Sequence, residues 1–536
     1  MIEAQPPAGE QSNPYTPAGP PDPLVFEDFE GINTATTRAG VEDKKAYWLD
    51  GFMPLGPKRN LRTMYGIGPA LFTLTGGSRV VFFDFFNIGS TPYMLAVTSL
   101  GGIYAVNTNT SSSNLIAANG TISNPARAAV GLTQYGSKYV LIVAQQTNGY
   151  FIWDGTTFYA PGASFSGGTI PTAIGGTAIE TYQGRVWIAN GPTITYSAPG
   201  SVYDFSSADG GGSFASTDSF LRVSYIQLKQ TNGFLYLIGD SSVNYISGVQ
   251  TSGTPPVTTF TNSNVDPEVG SPWPATVDVF DRNILFANAF GAHVSYGGAV
   301  TKISEVLDGV YNSVPNFGNI TPSAAKAIIF GKKCWILLLP IIDPVSGQQV
   351  NKLLLWNGKN IWWACQQEVA LSYIQHQEIN SVLTAYGTSG AAVYPLFAQP
   401  STGFSKTAQT KLWDAPGGYQ LIKWVNRLWG IVKFYSALAA NISVSIDNEI
   451  SSIANAISIA SNLATWTTPS GALSTWTTPA GAVSTWTAGG GSAFSVLAPE
   501  AVAGQGVLIG FTLTTNAADM TLVTMMIQAN IAAYRG

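Results

Sequence analysis

Short apolar strands separated by polar turns recur along most of this chain. The clearest unit, Thr181–Phe205, contains a turn at Gln183-Gly184, a strand over Arg185–Ala189, a turn at Asn190-Gly191-Pro192 and a strand over Thr193–Ser197. A single sheet of three or four such strands is too small to be stable in water and needs neighbours that cover its faces. The pattern therefore predicts that this unit is repeated.

Seven copies of the most apolar strand follow one another at nearly equal spacing. They begin at Tyr93, Tyr139, Val186, Phe234, Ile284, Cys334 and Val382, with offsets of 46, 47, 48, 50, 50 and 48 residues. A four-stranded propeller blade takes roughly 40 to 50 residues, whereas helical repeats show a 3.6-residue period. We therefore predict an all-β chain with a β-propeller of about seven (six to seven) blades, in which these strands are equivalent. A pair of stacked β-sandwiches, which also use short and closely spaced strands, is the alternative.

The segments outside the repeats divide the rest of the chain. Residues 1–24 are rich in proline and predict a disordered tail. Residues 25–75 predict an extended arm that docks on the body, and Leu61–Leu74 is expected to supply the strand that closes the propeller ring. The propeller itself is expected over 76–400, followed by a sandwich-like β domain over 401–536. Within that domain Asn448–Asn462 has apolar residues three and four apart and is predicted to be a helix.

Three tryptophans recur with a period of ten residues near the C-terminus. Trp466, Trp476 and Trp486 lie in Ser/Thr-rich strands that end in Gly-containing turns, so hairpins are predicted over about 463–490. Each ring stands among small residues, and we predict that the hairpins form an exposed tip that contacts the channel or the host surface. The alternative is that the rings pack inside the C-terminal sandwich, since Trp is usually largely buried.

The composition describes a neutral, turn-rich chain. Charged residues make up 10% and apolar residues 45%, with 57 Gly, 31 Pro and a net charge of −5. A chain with this net charge does not have the excess of basic residues that is typical of a nucleic-acid-binding surface. Few charged residues together with 12% aromatic residues indicate that other subunits cover much of the surface of this chain.

Cysteine use and hydropathy limit the setting of the chain. Two cysteines exclude a disulfide scaffold, and Cys334 and Cys365 are both placed in the sixth unit as buried, reduced thiols. The N-terminal residues lack the apolar core of a signal peptide. The longest apolar run, Cys334–Ile342, is much shorter than the roughly 20 residues of a membrane span, so no stable membrane insertion is expected.

The sequence carries few groups suited to catalysis. His293 and His376 are the only histidines, each on a predicted strand, where packing or surface roles are the commonest. Metal-ligand spacings, phosphate-binding loops and nucleophile motifs are missing. Propeller glycosidases need two carboxylates about 5 to 9.5 Å apart, and the candidates near predicted loops are Asp154, Asp209, Asp240, Asp266, Glu268, Asp278 and Asp281. We interpret all seven as solvated turn residues, and predict no enzyme activity and no catalytic, cofactor or metal site.

Taken together, these features resemble the tail nozzle (tail tubular) proteins of short-tailed bacteriophages. The resemblance lies in Phe29–Thr34, Ala46–Pro54 and Asn60–Gly66, in the blade stretches Gly184–Ala189, Ile194–Gly200, Tyr203–Phe205 and Gly233–Val243, and in the Trp-Thr repeats. It implies a homohexameric ring below the portal and the adaptor (head-completion) protein, at the distal end of the conduit for DNA ejection. It also implies contacts with tail fibres or spikes, transient non-specific contact with passing DNA, and a place in the virion tail after assembly in the host bacterial cytoplasm.

Two other functions remain open at the level of sequence. A carbohydrate-binding tail or adhesin subunit would bind sugars, and a propeller glycoside hydrolase would turn over a glycan. A DNA duct, in contrast, should not grip its cargo, because neutralising several phosphates makes binding strong at low salt. Six copies would carry six times the −5 of one chain, a net charge that repels phosphate.

Overall fold

The computed structural model describes residues 22–215, 224–318, 320–414, 418–419, 421–434, 438–446, 449–459, 475–477, 483–485 and 493–534. Regular structure in these ranges is almost entirely β, as predicted. The first five strands precede the repeats and are β1 (Leu24–Phe26), β2 (Ala46–Asp50), β3 (Phe52–Leu55), β4 (Asn60–Thr63) and β5 (Phe72–Thr73). The predicted disordered tail, residues 1–24, lies outside the described residues except at its end, where β1 begins.

Seven antiparallel sheets follow, and each is one blade of a propeller. Blade 1 comprises β6 (Val80–Ile88), β7 (Thr91–Thr98), β8 (Ile103–Asn107) and β9 (Ser113–Ala117). Blade 2 comprises β10 (Val130–Tyr135), β11 (Tyr139–Ala144), β12 (Tyr150–Trp153) and β13 (Phe158–Tyr159). Blade 3 follows a hairpin of β14 (Ser164–Phe165) and β15 (Gly168–Thr169) and comprises β16 (Ala178–Tyr182), β17 (Arg185–Asn190), β18 (Thr193–Tyr196) and β19 (Gly212–Ala215).

Blades 4 to 7 continue the same arrangement. Blade 4 comprises β20 (Tyr225–Thr231), β21 (Phe234–Gly239), β22 (Val243–Ser252) and β23 (Val257–Asp266), and blade 5 comprises β24 (Asp278–Phe280), β25 (Asn283–Asn288), β26 (Gly291–Ser295) and β27 (Val300–Lys302). Blade 6 comprises β28 (Ser323–Ile329), β29 (Lys332–Ile342), β30 (Gln349–Trp356) and β31 (Trp362–Cys365). Blade 7 comprises β32 (Tyr373–Ile379), β33 (Val382–Ser389) and β34 (Ala392–Pro395). A four-residue helix, α1 (Asp308–Tyr311), precedes blade 6, and 3-10 turns lie at Arg38–Gly40, Arg127–Ala129, Ser207–Asp209, Pro274–Thr276, Glu305–Leu307 and Val314–Asn316.

The seven repeat strands predicted from spacing are equivalent in the structure. Each is the second strand of its sheet: β7, β11, β17, β21, β25, β29 and β33. From blade 2 onward the first strand of each blade contacts the first strand of the next, β32 contacts β6, and β6 reaches blade 2 through β11. The first strands therefore form the inner wall of a closed ring, and apolar clusters fill the spaces between neighbouring blades. The seven-bladed propeller is confirmed, and the sandwich alternative is wrong for these repeats.

The ring is closed by a strand from the N-terminal part of the chain. β5 pairs antiparallel with β34, Phe72 opposite Val393 and Thr73 opposite Ala392, and becomes the fourth strand of blade 7. This is the closing strand predicted within Leu61–Leu74. It joins the two ends of the repeat region, which leaves no unpaired blade at the junction.

The N-terminal arm is not merely an extended segment on the surface, because its strands are inserted into sheets. β2 lies between β31 of blade 6 and β35 (Lys406–Thr410), so blade 6 belongs to a nine-stranded sheet in the order β28-β29-β30-β31-β2-β35-β42-β37-β38. The last three are β42 (Ile509–Thr515), β37 (Leu438–Ile446) and β38 (Glu449–Ile459). The propeller and the C-terminal region therefore share one sheet.

The second C-terminal sheet also depends on the arm. It has the order β3-β4-β43-β36-β41, with β1 also paired to β43, and its long strands are β36 (Leu421–Phe434), β41 (Ala493–Gly506) and β43 (Met520–Tyr534). Phe26, Trp48 and Phe52 of the arm lie in one apolar core with Phe511 of β42 and Trp335 of blade 6. The sandwich-like C-terminal fold is thus confirmed, with its core continuous with that of the propeller.

The predicted helix over Asn448–Asn462 is wrong. The described part of this segment, Glu449–Ile459, forms β38, which pairs antiparallel with β37 from Ile446 opposite Glu449 to Leu438 opposite Ile459. A spacing of three and four is too short a signal here, since Ile, Ser and Asn are mediocre helix formers and β-branched residues suit a sheet. The antiparallel pairing with the preceding strand β37 decides the conformation.

Both cysteines lie in blade 6, Cys334 on β29 and Cys365 on β31, and both are free and buried. Burial raises the pKa of Cys334 to about 12. These thiols are therefore the reduced core residues that the sequence predicted. Of the helices in the described ranges, none has both the length and the apolarity needed to cross a membrane.

A buried ion cluster fixes β2 to blade 6. The Lys352 ammonium lies 2.6 Å from Asp50 Oδ2 and 2.9 Å from Asp343 Oδ2, and its side chain is only 2% exposed. Asp50 Oδ1 also accepts a hydrogen bond of 3.0 Å from the Gln366 amide. Burial alone would lower the pKa of Lys352, but the two carboxylates raise it above its ordinary value. The ammonium is therefore held charged between two elements 302 residues apart in the chain.

Replacing Lys352 by Met should cost about 3 to 5 kcal/mol of unfolding free energy, because two buried carboxylates lose their counter-ion. Urea denaturation followed by tryptophan fluorescence measures this loss. Lys44→Ala is the matched control: it removes an exposed ion pair with Asp28 and should leave the unfolding free energy nearly unchanged. Equal effects of the two changes would contradict the role assigned to the cluster.

Candidate functional site

The first strands of all seven blades surround a central channel with a cavity of about 410 Å³. Its wall is polar, since alternate side chains of these strands point away from the apolar spaces between blades. Six different blades contribute charged side chains or a histidine to this wall, including Asp84, Glu180, Lys229, Asp278, Lys326 and His376. The channel thus collects charges that are far apart in a sequence with only 10% charged residues.

The channel is closed at the end where the inner strands begin. The 3-10 turns Arg127–Ala129 and Pro274–Thr276, which precede blades 2 and 5, contact each other across it. Ala275 packs against the apolar cluster of blades 1 and 2, and the Arg127 guanidinium donates a 2.6 Å hydrogen bond to the Val130 carbonyl. The channel is consequently a cup that opens towards the turns between first and second strands.

Ionic contacts inside the cup join blades 5, 6 and 7. The Lys326 ammonium lies 3.2 Å from Asp278 Oδ1 and donates a 2.7 Å hydrogen bond to the Val279 carbonyl. Asp278 Oδ2 lies 3.8 Å from His376 Nδ1. Burial would raise the pKa of Asp278, but nearby positive charges, that of Lys326 foremost, together with the hydrogen bond from the Val279 amide, outweigh it, and the pKa falls below its ordinary value. Asp278 is therefore a buried ion-pair partner, and its interpretation as a solvated turn residue was wrong.

Two further carboxylates of the cup are less well compensated. Burial raises the pKa of both Asp84 and Glu180, although the Lys229 ammonium opposes the shift. Glu180 Oε1 accepts hydrogen bonds of 2.9 Å from Thr133 Oγ1 of blade 2 and from the Thr181 amide. These contacts connect inner strands of neighbouring blades. The polar groups of the cup therefore fix the blades relative to one another.

The other candidate residues occupy separate places. Asp154 accepts hydrogen bonds from the amides of Thr156 and Thr157 in a blade 2 turn, and Asp281 pairs with Lys333 at 2.5 Å. His293 is buried on β26 and stacks on Phe286 with ring centroids 5.5 Å apart. Within the described ranges, His, Cys, Asp and Glu form no group of three or more that is arranged to hold a metal ion.

The tryptophan repeats fall largely outside the described residues. Trp466 and Trp486 are not among them, and Trp476 lies on a short strand, β39 (Thr475–Thr477), that pairs with β40 (Val483–Thr485). The pair is antiparallel, with Trp476 opposite Ser484. A hairpin at this position agrees with the prediction, and the exposure of the rings stays a prediction.

Sequence reasoning missed a set of hydroxyl contacts between blades. Tyr135, Tyr182 and Thr231 end the first strands of blades 2, 3 and 4 and each donates a hydrogen bond to the first turn of the following blade. The acceptors are the carbonyls of Gly184, Gly233 and Arg282, at 3.2, 2.7 and 3.1 Å. The donors recur at offsets of 47 and 49 residues, so a search for hydroxyl residues at the blade period would have found them.

No protein-family model matches this sequence, and a search of curated proteins found no match. Solved structures of propeller proteins are similar over most of the chain at very low identity. The extracellular domain of a one-component system from B. thetaiotaomicron is 8% identical, with 78% of this chain and 51% of that chain covered and a TM-score of 0.36. This chain thus spans about half of that domain.

Two other solved structures give comparable values. The β-propeller domain of Cps50 (Swd1) from Myceliophteria thermophila is 10% identical, with 61% and 98% of the two chains covered and a TM-score of 0.35. BamB from Moraxella catarrhalis is 11% identical, with 64% and 95% covered and a TM-score of 0.32. Likeness at this level says nothing about function, and the propeller assignment stands on the sheets and contacts described above.

His376 predicts a pH dependence of stability. Burial lowers its pKa from 6.5 to about 4 in the folded chain, so the unfolded chain binds more protons between these values. Above about pH 6.5 the buried His376 does not lower the unfolding free energy of the chain. As the pH drops towards 4 the unfolding free energy falls, by about 2 kcal/mol at pH 5. In His376→Gln the difference in unfolding free energy between pH 7 and pH 5, measured in urea, should shrink by that amount.

The neutral change Gln375→Asn on the same strand is the control and should leave the pH dependence as it is. An unchanged pH dependence in His376→Gln would show that this histidine is not the proton-excluding group.

Proposed function

We propose that this chain is a structural subunit of the tail nozzle of a short-tailed bacteriophage, placed at the distal end of the DNA conduit. The proposal is supported by the place in the fold of the arm stretches that resemble this family. Ala46–Pro54 and Asn60–Gly66 contain β2, most of β3, and β4, the strands that join the propeller to the C-terminal sheets. Because the propeller and the C-terminal region share a sheet, they form a single unit, which suits a component of a phage particle that must keep its shape under mechanical load.

The propeller cup does not have the dimensions of a DNA conduit. Its cavity has a volume of only about 410 Å³ and is closed at one end, so a duplex could not pass through it. A conduit would therefore have to lie between copies of the chain, and this favours a ring. The charged groups of the cup are then structural, and passing DNA meets outer surfaces of the subunits.

The partners and the location belong to the same proposal. The ring is a homohexamer that binds the phage adaptor on one side and carries tail fibres or spikes, in the virion tail. The chain has no enzyme activity in this role. Binding of purified chain to bacterial surface polysaccharide would instead favour an adhesin subunit, and release of reducing ends from that polysaccharide would favour a glycoside hydrolase.

The purified full-length chain should assemble into sixfold rings. Negative-stain electron microscopy and mass photometry across a range of protein concentrations test this expectation. A chain that stays monomeric at every concentration, or assemblies without a central opening, would contradict the nozzle proposal.

The tryptophan repeats should be dispensable for folding and needed for function. Deleting Ala464–Gly490 and joining the ends with a short Gly-Ser linker should leave rings intact, while DNA retention or delivery by particles that carry the variant is impaired. The buried Trp48, replaced by Ser, is the contrasting control and should lower the melting temperature strongly. If the deletion variant aggregates or melts far below the parent, the tryptophans belong to the C-terminal core.

A further inference from the structure

We propose that Lys352 and Asp50 react with each other in the folded chain and form an intramolecular amide between Lys352 Nζ and Asp50 Cγ. This bond ties the N-terminal arm covalently to blade 6. The two residues belong to β30 and β2, which only β31 separates in the nine-stranded sheet. The inference stands on the contacts of these side chains and is independent of the proposed function.

The reacting groups are in direct contact. The Lys352 nitrogen lies 2.6 Å from Asp50 Oδ2, which is bonded to the carbon that the nitrogen attacks. Groups held together in this way gain from proximity, because effective molarities reach about 10⁵ to 10⁸ M in well-oriented intramolecular reactions. The fold has therefore already brought the nucleophile to its target.

Water is excluded from the contact, and this favours the amide over its hydrolysis. The side chains of Lys352 and Asp50 are only 2% and 9% exposed, and that of Asp343 is 8% exposed. Leu339, which pairs with Lys352, and Ala364, which pairs with Asp50, are fully buried. Condensation releases one water molecule and replaces a charged pair in the core by a neutral amide, so the cost of burying two charges disappears.

Asp343 supplies a second carboxylate with a different task. Its Oδ2 lies 2.9 Å from the same nitrogen, and its Oδ1 accepts hydrogen bonds of 2.9 Å from the amides of Val345 and Ser346. Burial would raise the pKa of Asp343, but the Lys352 charge and these hydrogen bonds outweigh it, and the pKa lies below its ordinary value. Burial does raise the pKa of Asp50, although the Lys352 charge opposes it. Asp50 is therefore the carboxyl that takes up a proton, and Asp343 stays ionised as the base.

The backbone amide of Gln366 faces the oxygen on which charge develops. It donates a 3.0 Å hydrogen bond to Asp50 Oδ1, the atom that becomes the amide oxygen. Attack on Cγ places negative charge on this oxygen in the tetrahedral intermediate, and a preorganised N–H donor at that position lowers the barrier. The Gln366 side chain accepts a 3.3 Å hydrogen bond from Lys352 Nζ and helps to orient the nucleophile.

The reaction consumes no other reagent. The Lys352 ammonium passes one proton to Asp50 Oδ2, which gives a neutral amine and a carboxylic acid. The nitrogen lone pair then attacks Cγ, Asp343 accepts a proton from the nitrogen and returns it to the Oδ2 hydroxyl, and the C–Oδ2 bond breaks as water leaves. One C–N bond forms, one C–O bond breaks, and the opposite charges of the pair cancel.

The mass of the purified full-length chain tests the proposal directly. In denaturing mass spectrometry the parent should be lighter than its sequence by one water molecule. After digestion with trypsin the peptide Ala46–Lys58 should be joined to Cys334–Lys359, because trypsin does not cleave after an acylated Lys352. Fragment ions should place the bond between Asp50 and Lys352.

Two changes at the cluster should prevent or slow the reaction. Lys352→Arg keeps a cation between the carboxylates but removes the nucleophile, so this variant should keep its full sequence mass. Asp343→Asn removes the base and should slow the loss of water about 100-fold or more in samples taken at intervals after purification. Lys302→Arg is the control, because Lys302 lies at the same distance of 2.6 Å from Asp308 in an exposed pair, and this variant should lose one water like the parent. Circular dichroism and thermal melting verify that all three variants are folded.

A parent chain that keeps its full sequence mass after prolonged incubation overturns the inference. Asp50 precedes Gly51, and an Asp-Gly pair can also lose water by forming a cyclic imide with its own backbone. In that case the two tryptic peptides stay separate and trypsin cleaves after Lys352, which likewise overturns the inference. A loss of water that persists in Lys352→Arg has the same meaning. None of these results affects the nozzle proposal, which ring formation tests.

Discussion

Lys352 lies between Asp50 and Asp343 with almost no contact to water, and the position of the arm depends on this contact. A buried ammonium is tolerable only where carboxylates compensate it, so Asp50 must be brought to blade 6. With Asp50 in place, β2 lies beside β31 and offers its other edge to β35. The nine-stranded sheet follows from this arrangement. The propeller and the C-terminal sheets are consequently joined by backbone pairing and a common core.

The centre of the propeller follows a different physical rule. Seven inner strands turn polar side chains towards one narrow space, and burial there makes every unpaired charge costly. The positive charge of Lys326 compensates Asp278 across blades 5 and 6, and His376 lies beside them as a neutral ring, because burial lowers its pKa to about 4. Asp84 and Glu180 are only partly compensated by Lys229. The buried His376 therefore makes the stability of the fold depend on pH. The cup is closed at one end and too small for a duplex.

The cup is closed at one end, so a passage for DNA would have to lie between copies of the chain. The weak net charge of each copy agrees with a duct that does not retain DNA.

The sequence by itself determined the repeat: the spacing of Tyr93, Tyr139 and the five later strands identifies seven blades, and the closing strand was expected within Leu61–Leu74. These features are local, since turn chemistry and strand alternation act over a few residues. Only the tertiary structure decided that Glu449–Ile459 is a strand, that Asp278 is buried, and that Asp50 meets Lys352. The ion pairs join residues that are tens to about three hundred positions apart, and β38 depends on the strand that lies beside it. A local pattern of apolar residues contains no information about which strand or charge will be adjacent.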